Sequence, residues 1–273
     1  LVLDLSLPTG DGPHPLLVFC HGFKDFGYFP LLDAWAARAG FALLRFNFTH
    51  NGTTPAHPTE FIDLEAFARN TFSQEQADLE RLVKALQGGQ IPHTENLDLS
   101  RLGLWGHSRG GTMALVFAAH HPQAVKAVAT WGAVADLAAR YTPEQLAAWE
   151  LAGRITVPNA RTGQHMPMDF AIVADLKANA QTLQLPRMAH QIQQPVFLVH
   201  GDYDATVNLT EALELHRWLP DSDLYVLHTG DHTLGGKHPW PDAQLPLKAE
   251  QATRQTLRFF RRILLGDAAA NWR

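Results

Sequence analysis

A mostly parallel, doubly wound α/β sheet is the architecture the sequence predicts, and three observations lead to it. Apolar runs of strand length alternate with helical stretches along most of the chain, the element order that buries a parallel sheet between two helical layers. Several runs, such as Leu16-Leu17-Val18-Phe19-Cys20 and Pro195-Val196-Phe197-Leu198-Val199, are continuously apolar, as strands covered on both faces must be. With 273 residues, 46% of them apolar, the chain can bury one large core, which favours a single domain over residues 1–273.

Residues 2–7 alternate apolar and polar side chains before Pro8-Thr9-Gly10-Asp11-Gly12, which reads as a first strand and a hairpin. The apolar run 16–20 is the next strand and ends in the turn His21-Gly22-Phe23-Lys24. A helix over 31–39 is closed by Gly40, and a strand over 41–48 follows. Residues 49–62, rich in Pro, Thr, His and Asn, lack helical periodicity and form a loop over one end of the sheet. Within 73–86, Leu79, Leu82, Val83 and Leu86 share a helical face, and Gly88-Gly89 stop the helix.

Leu102-Gly103-Leu104-Trp105-Gly106-His107-Ser108-Arg109-Gly110-Gly111-Thr112 reads as strand, sharp turn and helix, the helix ending at His121-Pro122. Another buried strand spans 125–131. The alternation then breaks over residues 133–194. Thr142-Pro143-Glu144-Gln145 carries an N-cap, a Pro at N1 and a capping-box Gln. Residues 155–157 and 161–168 are short extended pieces, the second bent at Thr162-Gly163 and Pro167, and Asp169 caps a helix reaching to about residue 180. No flexible linker bounds this stretch, so it reads as a cap inserted into the sheet domain. The alternation resumes with a strand at 195–200, a helix at 209–219, a strand at 224–228 and a closing helix at 248–265.

In such a sheet, ligands bind beyond the carboxyl ends of the strands. Four loops at those ends carry Phe23, Ser108, Asp204 and His232. Gly106-His107-Ser108-Arg109-Gly110 is a Gly-x-Ser-x-Gly pentapeptide between a strand and a helix, the context in which the motif carries a nucleophile. A serine hydroxyl needs a base within hydrogen-bond reach, and that imidazole needs a carboxylate to fix its tautomer and stabilise its cation. Ser108 as nucleophile, Asp204 as acid and His232 as base stand in the order Ser…Asp…His. Asp202 is the rival carboxylate, and Asp204 is preferred to it. The backbone N–H groups of Phe23 and Arg109 are the expected oxyanion donors. For substrate contact the candidates are His107, His50, Arg161, Gln164, His165 and Met166; the last three and Arg161 equally suit a solvated hairpin with one packed Met.

Other chemistries fare worse. The formal charge of −5, without a Lys/Arg run, points away from nucleic acid. No stretch reaches the ~18 apolar residues of a membrane span. His228 and His232 have the spacing of a helical metal pair, but Thr229-Gly230-Asp231 between them breaks a helix, so no metal site is expected. No Gly-x-Gly-x-x-Gly follows an early strand, so no dinucleotide cofactor is expected. The partner is then a small-molecule ester, with no cofactor and an open oligomeric state. Cys20 is the sole cysteine, which suits a reducing, cytoplasmic location. The chain begins at Leu1 without an initiator methionine, as if its native N-terminus were missing.

With these residues assembled, the chain resembles the α/β-hydrolase superfamily over nearly its whole length. It is most similar to bacterial esterases of the cinnamoyl/feruloyl type and related serine-peptidase-like hydrolases. His21-Gly22-Phe23, Gly106-His107-Ser108-Arg109-Gly110-Gly111, His200-Gly201-Asp202-Tyr203-Asp204 and Gly230-Asp231-His232-Thr233 carry the likeness, with an insertion after the strand ending at Trp131. The resemblance implies a catalytic triad of Ser108, Asp204 and His232 with an oxyanion hole at Phe23 and Arg109. One departure is Thr49-His50-Asn51-Gly52-Thr53, where many relatives carry Gly-His-Gly. The expectation is an esterase for small or medium acyl groups, aromatic ones included, that works through an acyl-enzyme. An amide or short-peptide hydrolase with the same triad is the alternative, ahead of a non-catalytic binding protein of the same fold. Activity is expected to rise with pH as His232 becomes neutral.

Overall fold

The computed structural model describes residues 1–27, 29 and 31–266. Its first part comprises β1 (Val2–Ser6), β2 (His14–Cys20), α1 (Leu32–Arg38) and β3 (Ala42–Asn47). β1 does not form the expected hairpin with β2; it lies antiparallel to β3, Val2 opposite Asn47. Both edges of β2 are already taken by parallel neighbours, and the half-exposed β1 suits the outer edge.

Helix α2 (Leu64–Ala68), too short to show periodicity in the sequence, is capped by the Asp63 carboxylate, which accepts from Ala66 N at 2.9 Å. Then follow α3 (Phe72–Gln87), β4 (Leu97–His107), α4 (Arg109–His120) and β5 (Ala127–Trp131). The inserted stretch holds α5 (Pro143–Ala152), β6 (Arg154–Asn159), β7 (Gln164–Asp169), α6 (Ala171–Ala178), α7 (Ala180–Leu183) and α8 (Leu185–Met188). The chain returns to the sheet with β8 (Val196–Gly201), α9 (Leu209–Trp218), β9 (Ser222–Leu227) and α10 (Leu247–Phe260).

Seven strands form one sheet in the order β1-β3-β2-β4-β5-β8-β9, parallel throughout except for β1. Strand β2 shows how both faces are filled. Leu16, Val18 and Cys20 enter the core layer that includes Leu79 of α3 and Met113 of α4. Leu17 and Phe19 enter the opposite layer with Trp35 of α1 and Leu257 of α10. Burying each such leucine is worth about 2 kcal/mol, so β2 cannot slip by one residue without exchanging its two buried faces.

The insertion starts as the sequence predicts. Thr142 Oγ1 accepts from Gln145 N while the Gln145 side chain accepts from Thr142 N, a complete capping box. β6 and β7 then form an antiparallel hairpin. Pro167 sits within β7 opposite Thr156 rather than bending it, which a two-stranded ribbon tolerates because each strand has a free edge. Asp169 is not a helix cap. The hairpin register sets it opposite Arg154, whose Nε donates to its Oδ1 at 2.6 Å, and Phe170 takes the N-cap position without a side-chain bond. Arg154 also grips Glu65 of α2, and Ser73 of α3 donates to Asp175 of α6, so this stretch is tied to α2 and α3. No helix among the described residues is long and apolar enough to cross a membrane.

Candidate active site

The turn between β4 and α4 puts Ser108 at φ 54° and ψ −128°, a conformation costly for a residue with a side chain and kept only where the surroundings enforce it. The flanking glycines show the enforcement. A Cβ on Gly106 would lie 2.5 Å from Gly110 O, and one on Gly110 only 2.2 Å from Cys20 O. The elbow is wedged against the end of β2, and Ser108 N donates to Trp131 O of β5 at 2.7 Å.

Beside Ser108 stands a hydrogen-bonded chain. Its Oγ is 3.0 Å from His232 Nε2, and His232 Nδ1 is 2.7 Å from Asp204 Oδ2. Asp204 Oδ1 accepts from Thr206 N at 2.9 Å and Val207 N at 2.8 Å. Burial alone would raise the Asp204 carboxyl. The His232 hydrogen bond and charge, with the two amides, outweigh it and hold the group below the usual carboxylate range. Asp204 is thus kept ionised and aimed at one imidazole nitrogen, leaving the other free to accept a hydroxyl proton. Asp202, two residues earlier, turns outward to His228 at 2.8 Å and to Thr229 N at 2.6 Å. Among the described residues no group of three or more His, Cys, Asp or Glu side chains converges on a common point as metal ligands would.

The turn after β2 approaches the same point. A Cβ on Gly22 would lie 3.1 Å from Ser108 Cβ, so Phe23 is adjacent to the serine, and Arg109 opens α4 on its other side. An N–H at a helix start has no acceptor within its own helix, which leaves the Arg109 amide available. Several residues hold the turn. His21 Nδ1 donates to Gly22 O and its Nε2 accepts from Phe48 N at 3.1 Å; burial pushes His21 down to about 4, so it stays neutral for both roles. Asn51 Nδ2 donates to Asp25 O, and Gly27 N donates to Asn47 Oδ1. From the β6–β7 hairpin, Arg161 donates to Lys24 O at 2.9 Å and pairs with Asp25 at 3.2 Å, while Lys24 Nζ reaches Pro158 O at 2.8 Å. Lys24 itself has φ 55°, so these contacts from a distant segment hold a strained residue next to Phe23.

A cavity of about 600 Å³ opens on Ser108 and His232. Leu146 and Trp149 of α5 with Ile172, Val173 and Leu176 of α6 make much of its wall. Their i, i+3 and i, i+4 spacings are visible in the sequence, but nothing there says that these faces turn toward the serine. Of the residues offered for substrate contact, Arg161 lines the cavity, as do Phe23 and Arg109; His107, His50, Gln164, His165 and Met166 are not among its lining residues. His107 lies behind His232, its Nε2 donating to His232 O at 2.8 Å. Burial, then the neighbouring His232, pushes it down to about 4, so it is neutral. Gln164 donates to Phe61 O, Met166 is fully buried and His165 faces solvent. Residues 49–62 do not line the cavity either; through Asn51 this loop supports the Phe23 turn from behind. Lys24, Asp25 and Asn51 are the site residues that sequence reasoning missed, because their partners lie far away in the chain.

A family model described as alpha/beta hydrolase fold matches residues 15–167, more than half of the chain. Among curated proteins, an uncharacterised 31.7 kDa protein in the traX–finO intergenic region of Escherichia coli is 30% identical over 146 residues, 50% of this chain and 43% of that protein. The match thus spans less than half the length of that relative. Among solved structures, Est1E from Butyrivibrio proteoclasticus with bound ferulic acid has a TM-score of 0.72 at 17% identity, covering 97% of this chain and 95% of that one. The esterase domain of a Rhodothermus marinus protein has a TM-score of 0.61 at 21% identity, covering 96% and 92%. A monoacylglycerol lipase from Paleococcus ferrophilus has a TM-score of 0.67 at 16% identity, covering 95% and 98%. Likenesses at these identities are likenesses of fold.

Proposed function

We propose, from the premise that this chain belongs to the α/β-hydrolase fold family, that it is a serine hydrolase cleaving carboxylic esters of small or medium acyl groups, aromatic ones included. One observation carries the proposal: Ser108 Oγ lies 3.0 Å from His232 Nε2 while His232 Nδ1 lies 2.7 Å from an ionised, buried Asp204. That the solved structures of like fold include esterases and a lipase, one with ferulic acid bound, supports the substrate class.

In this reading Ser108 Oγ attacks the ester carbonyl carbon as its proton passes to His232 Nε2. Asp204 holds the Nδ1–H and stabilises the imidazolium that forms. The carbonyl oxygen becomes an oxyanion facing the N–H groups of Phe23 and Arg109, donors fixed before the reaction. Collapse expels the alkoxide, which takes the proton from His232 and leaves as the alcohol, and Ser108 is acylated. Water then gives a proton to His232, attacks the acyl carbon, and releases the acid as the proton returns to Ser108. Residues 133–194 act as a cap whose apolar wall receives the acyl or alcohol group and keeps bulk water from the acyl-enzyme.

Ser108→Ala is expected to abolish turnover of p-nitrophenyl acetate and covalent labelling by a fluorophosphonate probe. Undiminished labelling of that variant, or failure of the folded unsubstituted protein to label, overturns the proposal.

A further inference from the structure

The charge of the cavity wall is one-sided. Lys24, Arg109, Arg140, Arg161 and Lys177 line it, and among the described residues no Asp or Glu does. Three of these cations are answered from behind the wall: Arg109 by Glu75 at 2.8 Å, Arg140 by Glu211 at 3.0 Å and Arg161 by Asp25 at 3.2 Å. The lysines are not. Lys24 rests on the carbonyl of Pro158 and Lys177 lies over the ring of Phe170, neither with a carboxylate partner among the described residues. Lys177 is at the exposed rim, whereas Lys24 is half-buried beside the oxyanion turn and shares the backbone contact with Arg161 described above. Burial, then the Arg161 charge, holds the Lys24 ammonium below its ordinary range. A guanidinium has five N–H donors. Arg161 gives one of its terminal nitrogens to Asp25 and the other to Lys24 O, with its guanidinium over the rings of Phe26 and Phe61, so two of its five N–H groups are used in these bonds and its charge stands at this end of the cavity.

We infer that this end of the cavity is an anion subsite, and that the preferred substrates are esters carrying a carboxylate remote from the scissile carbonyl, held between Lys24 Nζ and Arg161 while their apolar portion lies against α5 and α6. The inference rests on the serine-hydrolase reading and specifies its substrate class. A carboxylate there accepts charge-assisted hydrogen bonds in a partly desolvated site. A neutral ester would leave the Lys24 ammonium without a counter-ion.

The test compares kcat/KM within matched pairs on the full chain at low salt. One pair places the charge on the acyl side, p-nitrophenyl hydrogen suberate against its methyl ester. The other places it on the alcohol side, 4-butyryloxybenzoate against methyl 4-butyryloxybenzoate. The readout is the charged-to-neutral ratio. About tenfold or more is expected in at least one pair, falling at least about threefold in 0.5 M NaCl and approaching unity in Lys24→Gln. A ratio at or below unity in both pairs overturns the subsite while leaving the hydrolase reading intact, because the neutral esters are still cleaved and Ser108 still labels. A high ratio unchanged by Lys24→Gln also overturns it, since the charge is then read elsewhere. Should that variant not fold, the salt titration on the unsubstituted protein decides, and a preference insensitive to salt overturns the inference. Absence of both labelling and turnover overturns the hydrolase reading and the subsite with it.

Discussion

Replacing Arg161 by Met should slow the hydrolysis of a neutral ester although Arg161 is absent from the reacting chain. Its guanidinium holds Lys24 O at 2.9 Å and Asp25 at 3.2 Å. Each hydrogen bond to a charged group contributes about 1.5–3 kcal/mol, and the left-handed backbone of Lys24, at φ 55°, costs about 1–2 kcal/mol. Losing both contacts removes more than the strain they hold, so the turn should relax and carry the Phe23 N–H away from the oxyanion. Complete loss of one such donor lowers kcat by about 10²–10³-fold. The Lys24–Pro158 and Asn51–Asp25 contacts survive the change, so about ten- to a hundredfold is the expected loss, with KM altered less than about threefold. Steady-state kinetics on p-nitrophenyl butyrate would measure it, because a neutral substrate separates loop positioning from charge recognition. Arg161→Lys, which restores the charge without the two-point grip, should recover only part of kcat. A folded Arg161→Met protein with kcat within twofold of the unsubstituted one would refute the positioning role.

Asp204→Asn should lower kcat by about 10⁴-fold, because an amide N–H facing His232 Nδ1 favours the wrong tautomer; a loss below tenfold in the same kinetics would move the acid's role elsewhere, first to Asp202. Gly110→Ala should cost about 3 kcal/mol or more, or prevent folding, since its Cβ would sit 2.2 Å from Cys20 O; a denaturation midpoint equal to the parent's would contradict this. Stability should fall on acidification through buried histidines. His21 and His107 are pushed down to about 4 in the fold, so their contribution is complete above the unfolded value near 6.5 and is lost as pH falls from there toward 4, about 2 kcal/mol each by pH 5. The raised carboxyls of Asp25 and Glu75 act in the opposite sense, so the measurement is the difference in urea-denaturation slope with pH between the parent and His107→Gln. An identical slope would exclude the histidine's part.

What was legible in the sequence is what depends on short-range pattern. The apolar run of β2, the capping box of α5 and the strand–turn–helix at Ser108 each declare themselves within a dozen residues, and the chain order of Ser108, Asp204 and His232 supplies their common topology. The failures share a different cause. The alternation in β1 marks an edge strand but not its neighbour, so the local pattern points to a hairpin although β3 is the partner. Asp169 has the right residue type for a helix cap, and only the hairpin register, which sets Arg154 opposite, diverts it into an ion pair.

The candidate site divides along the same line. The proposed reacting groups are carried one per strand end, and a parallel sheet brings strand ends together whatever the intervening sequence does. The support of the Phe23 turn has no such rule behind it. Asp25 takes its carbonyl's partner from Asn51, 26 positions on, and its carboxylate's partner from Arg161, 136 positions on. None of the three residues forms a motif with another. In the proposed mechanism, the contacts of Arg161 with Lys24 and Asp25 couple oxyanion stabilisation at the Phe23 turn to the cavity wall: a ligand that shifts Arg161 should also shift the backbone beside Phe23. A substrate carboxylate at Lys24 and Arg161 would therefore tighten the same turn that faces the reacting carbonyl, so part of its binding energy should register in kcat rather than in KM alone.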